Sequence, residues 1–231
     1  MLGLLFSNMG MAQNWRKNSI TGEGKKVTET LDLPSFEGIG LSISADVYLK
    51  QGNTQSVKIE AQKNILDNIE REVRNKVWKI KFDKNVRNYE DVKIWITIPH
   101  LNQLAVSGSG DIKGENTFSN LNSLELAISG SGSIELDSES KSVNISISGS
   151  GDMELGGTTG KQNVSISGSG DVDAYDLSCK TSVVSIAGSG DCQLTAMENL
   201  NVSLVGSGDV YYKGNPSVHS KIVGSGDVVA K

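Results

Sequence analysis

From Leu101 onward, apolar residues fall in pairs two positions apart, and the pairs recur at a nearly constant interval. Leu104/Val106, Leu126/Ile128, Ile145/Ile147, Val164/Ile166, Val184/Ile186 and Val202/Leu204 form one series, of which the last repeat keeps only Ile222. A second series follows eight residues behind: Ile134/Leu136, Met153/Leu155, Val172/Ala174, Cys192/Leu194, Val210/Tyr212 and Val228/Ala230. A spacing of two puts side chains on one face of an extended chain, so both series predict β-strands. Upstream the alternation persists less regularly. Ile43, Ala45, Val47 and Leu49 share a face and read as a repeat with a shortened corner, and Val57-Lys58-Ile59-Glu60-Ala61 alternates too. Asn64 to Asp67 suggests a turn or short helix, Val77 to Phe82 a strand paired across Asn75-Lys76, and Val92 to Ile98 a strand ended by Pro99.

Between the two series lies a four-residue motif, Gly-Ser-Gly-Asp. It supplies Gly108, Gly110 and Asp111; Gly149, Gly151 and Asp152; Gly168, Gly170 and Asp171; Gly188, Gly190 and Asp191; Gly206, Gly208 and Asp209; and Gly224, Gly226 and Asp227. A variant ending in Ser133 starts at Gly130, and the seven copies are 22, 19, 19, 20, 18 and 18 residues apart. Such a period marks a stacked repeat architecture. All flanking apolar offsets are even, so a chain extended through the motif would turn both glycines inward and the Ser and Asp outward. Glycine is expected where a strand bends around a corner, because a side chain there would collide with the next turn.

One repeat cannot bury its inward residues, but repeats stacked about 4.8 Å apart form a continuous core, and seven give a rod on the order of 30 Å long. The fold class is therefore all-β: a right-handed parallel β-helix-like solenoid with an atypical β-rich N-terminal cap. An antiparallel meander with the motif as hairpin turn is the alternative, but two-residue hairpins favour Asn-Gly or Asp-Gly. Segments such as Gly156-Gly157-Thr158-Thr159-Gly160 are expected to close the turns. The reading divides the chain into 1–12, the remnant of a signal peptide ending Gly10-Met11-Ala12; 13–30, a leader or linker; 31–100, cap and degenerate rungs; and 101–231, seven repeats.

Composition adjusts this picture in three ways. The 26 glycines with only 3 prolines sit among regularly spaced Val, Ile and Leu, which excludes a collagen-like or disordered tract. Charge is uneven: +3 over 1–100 and −8 over 101–231, so the repeat half repels nucleic acid and anionic membranes and suits cations or basic partners. The two cysteines make no disulfide framework or zinc pattern; Cys192 sits on the apolar parity, and a bridge to Cys179 stays open. No apolar run is long enough for a transmembrane helix.

Three segments, Phe36-Glu37-Gly38-Ile39, Asp46-Val47-Tyr48-Leu49 and Ile98-Pro99-His100-Leu101 leading into Val106-Ser107-Gly108-Ser109-Gly110-Asp111, carry a resemblance. From about Leu31 to the C-terminus the chain resembles the secreted, Bacteroidetes-type autotransporter adhesin head GIN domain family, which has no assigned function. The resemblance implies a right-handed β-helix-like fold and export, and it carries no catalytic residues.

The outward aspartates, Asp111, Asp152, Asp171, Asp191, Asp209 and Asp227, form the main candidate chemistry. Stacked in register, carboxylates about 5 Å apart repel by roughly 1 kcal/mol per pair in water. Calcium between rungs would relieve this, as in calcium-binding rolls, yet one Asp and one Ser per rung make a sparse cage. Hydrogen bonds from backbone N–H groups or serines at the corner would relieve it too. Catalysis is the weaker expectation: every prominent polar residue is repeated, and His100 and His219 have no triad or metal spacing around them. Trp15, Trp78 and Trp95 all fall in the first half, as cap residues or, for Trp78 or Trp95, as a sugar-stacking platform. The sequence thus predicts no cofactor and no enzyme. It favours an exported, adhesion-like module with an envelope protein or glycan as partner, with calcium-dependent binding and a β-helix carbohydrate-active enzyme as alternatives. An open last rung would invite pairing with a second copy.

Overall fold

The computed structural model of the protein describes residues 19–231. The signal-peptide reading of 1–12 and Trp15 lie outside the described residues.

In chain order the elements are β1 (Ile20–Thr21), β2 (Lys26–Leu31), β3 (Gly38–Leu41), β4 (Asp46–Gln51), β5 (Ser56–Gln62), α1 (Lys63–Leu66), β6 (Val73–Arg74), β7 (Val77–Ile80), β8 (Val86–Asn88) and β9 (Lys93–Ile98). The repeat half follows as β10 (Gln103–Gly108), β11 (Asp111–Gly114), β12 (Phe118–Gly130), β13 (Ser133–Gly149), β14 (Asp152–Gly168), β15 (Val172–Gly188), β16 (Cys192–Gly206), β17 (Val210–Lys213), β18 (Ser217–Gly224) and β19 (Val228–Ala230). Within 13–30, expected to be a leader or linker, residues 20–21 form β1 and residues 26–30 most of β2.

Successive repeats pair in parallel and in register: Gly130 opposes Gly149, Gly149 opposes Gly168, Gly168 opposes Gly188, and so on to Gly224. The fold is a parallel β-solenoid, which the identical phase of the apolar pairs dictates. A one-residue slip would expose a whole buried row. Like positions stack into columns, so Leu104, Leu126, Ile145, Val164, Val184 and Val202 line one inner wall, each buried.

Strands β13 to β15 are long because the ladder does not stop between corners. Residues 156–160, expected to close a turn, stay in register instead, with Gly156 opposite Asp137 and Thr159 opposite Cys179. A parallel stack lets one turn bend while keeping every bond to the turn beside it. Differences in repeat length are absorbed as irregularities of register: β15 has one extra residue against β14 between Asp173 and Asp176, and against β16 three between Ala174 and Ser178, less one between Cys179 and Thr181.

The N-terminal half extends the stack in an order that differs from the chain. β3 and β4 pair with β10 and β11 on one side and with β7 and β9 on the other. The β7–β9 turn is therefore outermost, although it follows β3–β4 in sequence. β5 then lies antiparallel to both β9 and β2 and closes that end. Leu41 opposes Val106 and Asp46 opposes Asp111, so the corner at Ile43 has the full length of the later corners; it is not shortened, only built without glycine. Trp78 fills the core of this end, fully buried against Phe36 with ring centroids 5.8 Å apart, and its indole N–H donates to the Glu70 carbonyl at 3.0 Å.

Candidate functional site

The corner motif is the feature with most polar groups per residue, and its geometry follows from the stack. At each copy the first glycine has a positive φ, from +121° at Gly108 to +144° at Gly188, which reverses the local pleat. It is partly exposed, so only the second glycine of each copy faces the interior, whereas a straight extended chain would have turned both inward. Space is as tight as backbone: a Cβ on Gly132 would lie 2.7 Å from Val106 Cγ1 and against the carbonyl of Gly110. Gly108 differs, since a Cβ there would meet nothing within 4 Å. Its neighbour is the glycine-free corner at Ile43, so φ alone constrains it.

Two kinds of hydrogen bond carry the ladder through the corner. The carbonyl of each first glycine accepts the N–H of the next turn's serine, as Gly149 does from Ser169 at 2.9 Å and Gly188 from Ser207 at 2.9 Å. Each aspartate then uses Oδ1 as a substitute backbone acceptor for the N–H of the following aspartate. Asp171 N donates to Asp152 (3.1 Å), Asp191 N to Asp171 (2.7 Å), Asp209 N to Asp191 (2.7 Å) and Asp227 N to Asp209 (2.8 Å). Asp111 likewise accepts both the N–H and the hydroxyl of Ser133, at 3.0 and 2.7 Å. Ser133 has no carboxylate to offer, and Asp152 N turns to the Gly132 carbonyl at 3.2 Å. Carboxylate-to-amide bonds of this kind offset the repulsion along the column.

The face beside this column is also acidic. Glu135, Glu154 and Asp173 stack in register one step further along the strands, and together with Asp152 and Asp171 they line a shallow depression. Among the described residues no group of three His, Cys, Asp or Glu side chains is arranged to hold a metal ion. Trp95 continues the same outward column past Tyr48 and Lys113; its ring stacks on Tyr48 at 5.7 Å, with Lys58 Nζ 5.3 Å from its centroid. Trp95 is half-buried, while Trp78 is closed to any ligand. His100 and His219 are both exposed and lie on separate elements.

Cys179 and Cys192 are buried free thiols, which settles the open question of a bridge. Burial pushes the Cys179 thiol up to about 11 and raises Cys192 further still. Sequence reasoning missed one interior feature. Gln162 and Ser182 are fully buried in adjacent turns, in a column otherwise occupied by Val143 and Leu200, and the Gln162 amide and Ser182 hydroxyl find no hydrogen-bond partner in the protein. Their parity marks them as inward, and only the expectation of an apolar residue there concealed them.

Taken together, the parallel stack and its repeated corner define a β-solenoid whose polar groups serve the turn-to-turn ladder. The chain belongs to the family described as "Putative auto-transporter adhesin, head GIN domain", which matches residues 35–216. A crystal structure described as a putative adhesin from Bacteroides fragilis is similar with 27% identity and a TM-score of 0.84, covering 92% of this chain and all of that one. A putative lipid binding protein from Parabacteroides distasonis (24% identity, TM-score 0.77, 92% and 99% coverage) and a putative adhesin from Parabacteroides merdae (20%, 0.72, 93% and 99%) share the fold. No curated protein matches the chain. No helix among the described residues is long and apolar enough to cross a membrane.

Proposed function

We propose that this protein is a non-enzymatic, exported, adhesion-like module that presents the acidic side of its solenoid to a protein or glycan of the cell envelope. One observation carries the reading: the aspartates that project from the corners are repeated copy after copy, and their Oδ1 atoms are engaged by the next turn's N–H. Catalytic groups are singular and convergent, whereas a repeated, internally satisfied column builds a surface. The net charge of −8 over 101–231 gives that surface its sign and favours a basic partner. Family membership supports adhesion and export. Glycan-array and pull-down binding by the purified chain, with binding to a basic partner that weakens as salt rises, is the expected result. Binding unchanged when Glu135, Glu154 and Asp173 are replaced by Gln, Gln and Asn would refute the role of the acidic face.

A second reading, calcium-dependent binding, rests only on the carboxylates of Glu135, Asp152, Glu154, Asp171 and Asp173 that line one depression, no three of which are arranged to hold an ion as they stand. Thermal melts in millimolar calcium and in EDTA separate the two: an unchanged midpoint removes calcium, because a bound ion raises the midpoint by mass action.

A further inference from the structure

A glycine inside a strand adds backbone freedom and nothing to packing, so each one needs a reason. Among the described glycines all but one have it: a positive φ, or an added Cβ that would come within 3.4 Å of a neighbouring atom. Gly40, inside β3, has neither. A Cβ there would meet only Lys79 Cγ, at an ordinary 3.6 Å, and a β-branched residue would strengthen the strand. The fold does not require glycine at this position, and a strand glycine of that kind marks a place where something else approaches the backbone.

Gly40 lies between Lys79 of β7 and Ala105 of β10, as Gly38 lies between Val77 and Gln103. Ile39 and Leu41 are buried, so both glycines fall on the outward side of the strand. A depression of about 360 Å³, within the range of small-molecule sites, opens along this stretch, from Gln103 across Val77 and Lys79 to Arg74. Its polar groups belong to the cap and are not repeated along the solenoid. Glu70 is taken by Lys81 and Glu72 by Arg74, both at 2.7 Å, which leaves Lys79 as the lining cation without an ion pair among the described residues. The wall is also held in place. Asn75 and Lys76 join β6 to β7 at φ +51° and +60°, a strained conformation for lysine. Lys76 is pinned to β3: its carbonyl accepts the N–H groups of Glu37 and Gly38, and its ammonium pairs with Glu37 at 2.7 Å.

We propose that this depression binds the acidic residue of a glycan, its ring lying over the bare backbone at Gly40 and its carboxylate on Lys79. Arg74, Lys79 and Lys81 against Glu70 and Glu72 give the site a net charge of +1, in the half of the chain whose balance is +3. Val77 and the glycine backbone offer an apolar floor to the C–H face of a sugar. The Asn75 and Gln103 amides offer donors and acceptors to its hydroxyls. A wall already fixed needs little ordering when the ligand arrives. The inference goes beyond the adhesion reading: it uses none of the carboxylates of the acidic face, so either can fail alone.

NMR titration of the isotope-labelled chain with glucuronate, glucose and acetate tests it. Glucuronate should shift the amides of β3 and β7 saturably, with a Kd on the order of 1 mM, as suits so small a ligand. Glucose, which lacks the carboxylate, and acetate, which lacks the ring, should each bind about tenfold more weakly or worse. Gly40→Val should abolish the shifts while the melting midpoint holds or rises. Lys79→Gln should weaken glucuronate about tenfold, and Glu154→Gln on the acidic face should leave its binding unchanged. The proposal is overturned by the absence of shifts at β3 and β7, or by glucose or acetate binding as tightly as glucuronate. A folded Gly40→Val or Lys79→Gln chain that binds like the parent overturns it too, as does loss of binding in Glu154→Gln.

Discussion

A corner glycine in this protein answers two demands that separate cleanly between copies. Gly108 and Gly188 both sit at positive φ, but a Cβ on Gly188 would also strike the Gly168 backbone, with Gly168 C at 2.9 Å, whereas one on Gly108 meets nothing. Gly108→Ala should therefore cost only the backbone strain, about 1–3 kcal/mol. Gly188→Ala should cost about 1–3 kcal/mol more through overpacking, and urea unfolding of the two variants checks the order. The aspartates divide similarly into charge and hydrogen bond. Asp171→Ala removes the acceptor for Asp191 N–H and should destabilise by about 1–3 kcal/mol; Asp171→Asn keeps an oxygen there and should cost far less. If Asn and Ala behave alike in thermal melts, the ladder does not act as described. The thiols supply a pH-dependent test. The Cys179 thiol is held neutral by burial, up to about 11 against 9.0 for the free group. Its raised value adds stability that is fully present below about pH 9 and is lost as pH rises toward 11, since only the unfolded chain can ionise in that window. At pH 8 Ellman's reagent should label neither cysteine until denaturant is added.

At the scale of single strands, the buried column Val143, Gln162, Ser182, Leu200 is the weakest point in an otherwise apolar wall. An unpartnered buried amide costs about 1–3 kcal/mol, so Gln162→Leu should raise the unfolding free energy by that order; a lower melting midpoint would show that the amide has partners in solution. Period two was legible for nearly every strand of the repeat half, because alternation records which side of a strand is buried. What alternation does not record is whether the chain has left the ladder. Gly156 and Gly157 carry turn composition, yet they stay paired with Asp137 and Ser138, because a neighbouring turn fixes their backbone more firmly than local preference does. The corner at Ile43 is illegible for the opposite reason: with no glycine to mark it, its length is set only by its partners, Val106 and Asp111.

For the whole molecule, stability should be close to a sum of turns and turn-to-turn contacts. Deleting residues 150–168, one full period, brings Gly149 directly before Ser169 and keeps every column in phase. That variant should fold with an unchanged far-UV spectrum per residue, while deletion of 150–159 should not; equal behaviour of the two would contradict an in-register stack. The sequence by itself determined the repeat, its strands, their parallel register and the outward placement of the aspartates, since each is written in residue type at a fixed spacing. Only the tertiary structure decided that β7 and β9 lie outside β3 and β4 and that the aspartates bond to the next turn's N–H groups. Those facts rest on backbone pairing between segments distant in the chain, and a backbone hydrogen bond places no requirement on the side chains that a sequence displays.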